Sequence, residues 1–376
     1  MNIRKSPLFL LVIALSFAAS MIVPPAWAKS KGGAHNPDFV SDPAAYVNPL
    51  IGSANGGNTF PGAVTPFGML AWSPETTRGN QTRTPAPGGY HYTATKIRGF
   101  SLTHLSGTGC AGASGDIPFY PHVGTVTSSP SADVTDSIYA STFSHERETA
   151  KPGYYQVTLD SGVNVELTAT PRTGFGRFTF PAGKPATMLI RTSNSELGST
   201  DAHVNVDIAR RRVTGSVTSG NFCGYIHPVG RRSYYTLHFV AEFDRPFTDV
   251  GTWKDGTVTP GSTSASGGTT YGTNGFPPPG VGSGAYVSFD TSTGSTVNVR
   301  VGISYVSLAN AEANLRAENG HLSSFEEVRQ RAYHAWRKQL SRIRVAGGTE
   351  DQRTVFYTAL YHALLRPNLA SDVNGE

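Results

Sequence analysis

The chain has 376 residues, among them 42 glycines and 25 prolines, and its 31 basic and 26 acidic residues give a formal net charge of +5. A chain of this length exceeds one ordinary hydrophobic core, so it is expected to divide into domains. No run of lysine or arginine follows a nucleic-acid-binding pattern, which argues against nucleic acid as a partner.

The first 28 residues have the parts of a secretory signal peptide in order. Arg4 and Lys5 precede the apolar run LFLLVIALSFAA, and the segment closes on Ala26-Trp27-Ala28. The run is shorter than the roughly 20 residues of a membrane-spanning helix, and it breaks at Pro24-Pro25. We therefore expect cleavage after Ala28, secretion and no stable membrane anchor. Cleavage removes two basic residues and no acid, so the net charge falls to +3.

Residues 29–305 are predicted to form an antiparallel β-sandwich. Short segments rich in Val, Thr, Tyr and Phe are separated by Gly, Pro, Asn, Asp and Ser, with no helical period among them. These segments are YYQVTL, NVELTAT, GRFTF, TMLIRT, VNVDI, RRVTGSV, YYTLHFVAEF, AYVSF and STVNVRVGISYV. Many short strands with turns between them favour a sandwich over a βαβ fold. The Gly-, Ser- and Pro-rich stretch at 261–284 is interpreted as a flexible insertion.

Residues 306–345 are predicted to be a helical linker, and a further helical domain is predicted to begin at 346. In the linker, apolar side chains recur every three or four residues, at Phe325, Val328, Ala332, Trp336 and Leu340. A capping box of Ser323 and Glu326 is predicted at the start of its second helix, and one of Thr349 and Gln352 at the start of the next. That last helix has a wide apolar stripe, which a single helix cannot bury by itself. The stripe consists of Val355, Phe356, Ala359, Leu360 and Leu364, while Tyr361 and His362 are interpreted as packing residues and Pro367 as the stop.

Residue types alone give few catalytic candidates. The histidines of the sandwich region lie too far apart in sequence for a zinc motif on one element, and Ser106 in LSGTG lacks the frame of a nucleophile elbow. Four carboxylates, Glu75, Asp116, Glu146 and Glu148, are candidates for acid/base chemistry, but the sequence does not show that any two of them meet. The cysteines, Cys110 and Cys223, either pair in an oxidising compartment or lie buried as two small apolar side chains.

Two glycine-rich stretches are unusual for a sandwich. YVNPLIGSANGGNTFPGAVTPFGMLAWSPET begins at Tyr46, and GFSLTHLSGTGC with its continuation AGASGDIPFYP begins at Gly99. Such loops allow close approach to a ligand and donate backbone N–H groups, but they also turn the corners of sandwiches. Trp72 and Tyr90 either stack on a sugar face or belong to the core.

Several of these segments together resemble glycoside hydrolase family 92, the calcium-dependent exo-α-mannosidases. They are VNPLIGSANGGNTFPGAVTPFGMLAWSPET, GFSLTHLSGTGC, FSHERETAKPGYY, YVSLANAEANL and GGTEDQRTVFYTALYHALLRPN, in that order. The resemblance runs from about Tyr46 to the end of the chain. It implies a β-sandwich of the supersandwich kind, a helical connector, and a C-terminal (α/α)6 barrel, with the active site between sandwich and barrel.

The resemblance also implies a chemistry. Family members invert the anomeric carbon of terminal α-mannosides with an acid and a base, aided by Ca²⁺ near the sugar. Oligosaccharides and N-glycans are the substrates it implies, and α-1,2 the expected linkage type. In the family these carboxylates and calcium ligands belong to barrel motifs, none of which matches this chain, so we expect no catalytic or metal-binding residue here.

The chain reaches only the first barrel helix, so we expect an N-terminal fragment that is inactive alone. Its expected contribution to the sugar pocket is a set of substrate-binding residues in the two loops, namely Asn58, Thr59, His104, Thr108 and Cys110. Holding a loop in place is the alternative role for each of them. A non-catalytic, secreted carbohydrate-binding sandwich is the alternative function for the whole chain.

Overall fold

Two antiparallel sheets of eight and ten strands face each other and hold all the strands of the described residues. The computed structural model describes residues 38–76, 87–107, 115–195, 198–220, 234–269, 279–320 and 323–376. Within these ranges the strands are β1 (Ala63–Val64), β2 (Ala71–Glu75), β3 (Lys96–Ile97), β4 (Gly99–Ser101), β5 (Phe119–Val123), β6 (Ser141–Lys151), β7 (Tyr154–Leu159), β8 (Asn164–Ala169), β9 (Thr173–Thr179), β10 (Ala186–Ile190), β11 (Asp201–Asp207), β12 (Arg212–Gly220), β13 (Tyr234–Phe243), β14 (Asp249–Lys254), β15 (Thr257–Pro260), β16 (Ser264–Ser266), β17 (Ser283–Phe289) and β18 (Thr296–Ser304).

The described strands form two sheets, each with its own strand order. One sheet runs β1-β2-β4-β5-β10-β17-β14-β15, and the other runs β16-β11-β12-β13-β18-β9-β8-β7-β6-β3. Strand β18 shows why they stack: Val297, Val299, Val301 and Ile303 are fully buried, while the residues between them face the other way. The inner faces of both sheets contribute to one continuous hydrophobic core. The predicted antiparallel β-sandwich followed by helices is therefore confirmed.

Three helices and a short 3-10 helix (Pro43–Tyr46) complete the described fold. Helix α1 (Leu308–Asn319) packs on the outer face of the larger sheet, where Ala311 and Leu315 meet Val240 of β13. A Cβ added at Gly302 of β18 would lie only 2.4 Å from the Ala311 carbonyl oxygen. The helix therefore rests directly on the strand backbone.

Helix α2 (Phe325–Leu340) joins the sandwich to α3 (Glu350–Ala363). All five apolar residues predicted to form its inner stripe are buried. Phe325 and Val328 pack against the larger sheet, whereas Trp336 and Leu340 enter a second core with α3. The Trp336 indole donates a hydrogen bond to the Val64 carbonyl at 2.6 Å and lies 4.2 Å from the Tyr361 ring. The domain boundaries at 305/306 and 345/346 stay predictions.

The structure corrects one predicted helix start and confirms the other. The capping box of α2 is formed by Ser324 and Glu327, one residue later than the predicted pair Ser323 and Glu326. The neighbouring serine offers the same side chain, so the sequence pattern fits both frames. The predicted box of Thr349 and Gln352 at the start of α3 is present.

Helix α3 buries only part of the apolar stripe that its sequence predicts. Its buried residues are Tyr357, Thr358 and Tyr361, which confirms Tyr361 as a packing residue. Val355 is 61% exposed and Phe356 is 37% exposed. Leu360 and Leu364 of the predicted stripe pack against the second core, so the apolar pattern located the buried face only in part. None of the described helices is long and apolar enough to cross a membrane.

The predicted insertion at 261–284 is partly a regular element. Strand β16 pairs with β11 at the edge of the larger sheet, and β17 already begins at Ser283. Two residues of β16 are exposed, which explains its polar composition. Residues 270–278 lie outside the described residues, as do Cys110, Cys223 and the predicted signal peptide 1–28.

Candidate functional site

The two glycine-rich loops meet at the ends of the strands. The N–H of Gly107 donates to the carbonyl of Asn58 at 2.9 Å. Asn58 has φ of +53°, a left-handed conformation that asparagine tolerates better than most residues. The structure thus brings the loop of residues 52–58, here called the first loop, next to the segment that starts at His104.

The buried Thr59 side chain stabilises the turn of the first loop. It is 5% exposed, and its hydroxyl donates to the Ile51 carbonyl at 3.1 Å. A Cβ at Gly52, whose φ is +86°, would lie 2.9 Å from the Thr59 methyl group, so glycine is required at this close approach. In this structure Thr59 holds the turn of the loop, which is the alternative role weighed for it.

His104 is buried in a short polar chain. Its Nδ1 lies 2.7 Å from the Gly88 carbonyl, and its Nε2 lies 2.7 Å from the Ser101 hydroxyl. That hydroxyl also lies 2.5 Å from the Glu75 carboxylate. The Ser101 hydroxyl has one proton and can donate it to only one of these two neighbours. The other neighbour, either Nε2 of His104 or the Glu75 carboxylate, therefore carries a proton on the atom that faces Ser101. Burial lowers the pKa of His104 to about 4, so the ring is neutral near pH 7.

The remaining predicted ligands and carboxylates fall in different places. Thr108 and Cys110 lie outside the described residues. Asp116 is fully buried and accepts hydrogen bonds from the hydroxyls of Thr103 at 2.8 Å and Tyr235 at 2.5 Å. Burial raises the pKa of Asp116 against the opposing effect of these hydrogen bonds. Glu146 lies on β6.

Glu148 is the centre of a second buried cluster. Its Oε1 accepts from the Tyr155 hydroxyl at 2.6 Å. Its Oε2 accepts from the Tyr90 hydroxyl at 2.9 Å and lies 2.6 Å from Nδ1 of His145. Burial, with the neighbouring carboxylate, raises the pKa of both tyrosines, which keeps their hydroxyls as donors. Tyr90 is therefore a core residue, as is the fully buried Trp72.

An aromatic pair at the surface completes this cluster and was missed by sequence reasoning. The rings of Tyr92 and His145 are stacked 3.9 Å apart and 2° from parallel. Nε2 of His145 lies 2.6 Å from the Tyr92 carbonyl, and the Tyr92 N–H donates to Ser53 of the first loop at 2.9 Å. Tyr92 is 39% exposed. The sequence signal for Tyr92 was the alternation of aromatic and histidine residues in GYHY, which follows Gly88.

Comparison with known proteins identifies the family that has this fold. The profile of the glycosyl hydrolase family 92 N-terminal domain matches residues 46–304, and that of the family 92 catalytic domain matches residues 310–376. The chain belongs to glycosyl hydrolase family 92. The resemblance seen in the sequence motifs is thereby confirmed for the N-terminal portion of the family.

Three relatives show the extent of the likeness. An uncharacterized secreted glycosidase of Arthroderma benhamiae is 27% identical over an alignment of 350 residues, which covers 90% of this chain and 43% of that protein. The family GH92 α-mannosidase BT3965 of Bacteroides thetaiotaomicron is 30% identical with a TM-score of 0.75, over 88% of this chain and 42% of that one. The inverting mannosidase BT2199 of the same organism is 25% identical with a TM-score of 0.72, over 89% of this chain and 41% of that one. The chain thus spans less than half the length of these relatives.

The described residues do not offer a calcium site. No group of three or more His, Cys, Asp or Glu side chains in the described ranges is arranged to hold a metal ion. The oxygens of Glu148 face tyrosine and histidine donors, and Asp116 accepts from Thr103 and Tyr235. Calcium prefers six to eight oxygen ligands, which neither cluster presents. No chemical step is assigned to calcium on these residues.

Proposed function

We propose that this chain supplies the sandwich and the first barrel helix of a secreted, inverting exo-α-mannosidase. The observation that carries the proposal is the likeness to the α-mannosidase BT3965 over 88% of the chain. BT3965 has also been solved in complex with mannoimidazole, which supports a mannoside as the substrate class. Terminal mannose on α-linked oligosaccharides and N-glycans, of α-1,2 type, is the proposed substrate.

The proposal assigns the acid and base to polypeptide that this chain does not include. Inversion needs two carboxyl groups roughly 6.5–9.5 Å apart, with a water between one of them and the sugar. Two of the four candidate carboxylates, Glu148 and Asp116, are buried; Glu148 accepts from two tyrosine hydroxyls, and Oδ2 of Asp116 accepts from Thr103 and Tyr235. Calcium ligands are assigned to the same missing part, as the family resemblance implies.

The proposed contribution of this chain is the sandwich wall of the sugar pocket. Asn58 is partly exposed in the first loop, whereas Thr59 and His104 lie beneath the surface and support it. Thr108 and Cys110 follow on the second glycine-rich segment and keep their proposed role as sugar contacts. The whole arrangement presents backbone groups and small side chains, which suits close contact with a hydroxyl-rich ligand.

Secretion is part of the proposal. Residues 1–28 have the pattern of a cleaved leader, and the Arthroderma relative is described as secreted.

The test compares this chain with the protein obtained by reading the source DNA beyond the codon for Glu376. Both are assayed for mannose release from α-1,2-mannobiose, with calcium and with chelator. The expected result is calcium-dependent release by the extended protein and none by the 376-residue chain. A stop codon directly after Glu376, together with mannoside binding and no hydrolysis, would replace the proposal by the carbohydrate-binding alternative.

A further inference from the structure

The stacked pair of Tyr92 and His145 lies beside the first loop and carries an exposed tyrosine ring. We propose that this pair is a stacking platform for one pyranose ring of the bound mannoside, with the ring face of Tyr92 as the contact surface. This inference rests on the proposed function for its ligand class. It adds a binding residue, Tyr92, to those predicted from the sequence.

Single exposed aromatic side chains are common, so exposure alone carries nothing. Tyr92 differs because its ring is fixed from behind. His145 covers one face in a parallel stack at 3.9 Å, which leaves the opposite face and the ring edge for its 39% exposed area. A tyrosine that served only the hydrophobic core would be buried, whereas the Tyr92 ring is held at the surface.

The support under the platform is a continuous chain of hydrogen bonds. His145 is held between Glu148 at 2.6 Å and the Tyr92 carbonyl at 2.6 Å. The Glu148 side chain is fully buried and is itself held by Tyr155 and Tyr90. A surface held in one geometry loses little conformational entropy when a ligand binds, so its contact area contributes more to affinity.

The irregularity of β6 is what assembles this support. His145 and Glu148 are three residues apart, a spacing that puts side chains on opposite faces of a regular strand. The register of β6 against β7 shifts between Phe143 and Glu148, and the two side chains then meet. Bulges of this kind redirect side chains and often lie beside functional sites.

The surroundings of the platform suit a neutral polyol. The Tyr92 N–H donates to the Ser53 carbonyl of the first loop, and Asn55, two residues further along that loop, is exposed. Next to the platform, the Thr93 hydroxyl lies 2.8 Å from Nδ1 of His91. The C–H groups on one face of a pyranose carry partial positive charge and match the negative face of an aromatic ring. Amide and hydroxyl groups at the rim can meet the sugar hydroxyls.

The experiment uses the full chain labelled with 3-fluorotyrosine and titrated with methyl α-D-mannopyranoside. The ¹⁹F resonance that disappears in Tyr92→Phe identifies Tyr92. In the wild-type chain this resonance is expected to shift along a saturating curve. Tyr92→Phe should keep its affinity, measured by calorimetry, because it keeps the ring, whereas Tyr92→Ala should bind about tenfold more weakly.

Phe356→Ala is the matched control, since Phe356 is 37% exposed on α3 and belongs to no part of the platform. It should bind like the wild-type chain, and all variants should share the wild-type circular dichroism spectrum and unfolding midpoint. Equal affinity of Tyr92→Ala and the wild-type chain would overturn the platform and leave the mannosidase proposal standing. Absence of any mannoside binding by the wild-type chain would also overturn the platform, while mannose release by the extended protein tests the proposed function separately.

Discussion

The buried Glu148 cluster predicts an unequal effect of two matched substitutions, Tyr155→Phe and Tyr90→Phe. Each removes one hydroxyl oxygen from a residue at most 1% exposed, so the change in packing is the same. Tyr155 is the donor that the described residues provide to Oε1 of Glu148, whereas Oε2 has both Tyr90 and His145. Tyr155→Phe therefore leaves a buried carboxylate oxygen without a donor, and Tyr90→Phe does not.

The magnitudes follow from this difference. Hydrogen bonds to charged groups contribute about 1.5–3 kcal/mol, and a buried acceptor left unsatisfied keeps its full desolvation cost. Tyr155→Phe should lower the free energy of unfolding by about 2–3 kcal/mol and Tyr90→Phe by about 1 kcal/mol. Tyr154→Phe is the control, because its partner Glu166 is also held by two nitrogens of Arg177, and it should cost less than about 1 kcal/mol.

The assay is urea unfolding of the three variants and the wild-type chain, followed by tryptophan fluorescence and circular dichroism. Coincident curves from the two probes and equal m-values are required before the free energies are compared. A loss for Tyr90→Phe equal to or greater than that for Tyr155→Phe would refute the assigned hydrogen bonds around Glu148.

Three further predictions concern the helices and the buried histidines. Trp336→Phe leaves a buried carbonyl without its donor and should lower the free energy of unfolding by about 1–3 kcal/mol in urea; no change would contradict the indole hydrogen bond. Gly302→Ala forces a Cβ to within 2.4 Å of the α1 backbone and should cost about 1–3 kcal/mol, whereas Gly256→Ala, with nothing within 4 Å, should change stability by less than about 0.5 kcal/mol. His104 and His362 have pKa values lowered from 6.5 to about 4 by burial, so the unfolded chain takes up protons that the folded chain does not as the pH falls from about 6.5 to 4. The free energy of unfolding should fall through that window by about 3 kcal/mol for each histidine, and His362→Gln should remove about half of the slope; a flat profile would show that the rings are not buried neutral.

The sequence predicted β7 and β13 of the larger sheet well because both are rich in Val, Thr, Tyr and Phe. YYQVTL and YYTLHFVAEF coincide with β7 and β13 residue for residue. The buried stripe of α2 was predicted completely, since its apolar residues repeat at helical spacing against a polar background. Local composition sufficed for these two strands, and helical periodicity sufficed for α2.

Other strands were missed because their burial or composition hides the pattern. β6 carries nine polar or charged residues among its eleven, with an irregular register that breaks the period of two. β14 and β15 form a hairpin around Asp255 and Gly256, and this Asp-Gly pair was a signal that the sequence contained. Recognising the turn would have located both strands.

The candidate site was predictable only in outline. The glycine-rich loops marked the right region, and the family resemblance gave it a chemical meaning, but residue types did not show which side chains face outward. Thr59 and His104 have ligand-like chemistry and are buried, whereas the exposed Tyr92 lies beside the loop. The contact of Tyr92 with His145 and Glu148 depends on the shifted register of β6, which sequence spacing argues against.

The proposed function, in which this chain is the N-terminal part of an inverting α-mannosidase, is tested most directly by the anomer released first. The protein read through beyond Glu376 is mixed with α-1,2-mannobiose and calcium, and proton NMR spectra are recorded before mutarotation equilibrates the product. The account predicts that β-mannose appears first and that α-mannose follows by mutarotation. Initial release of α-mannose, or no release of mannose at all, would contradict it.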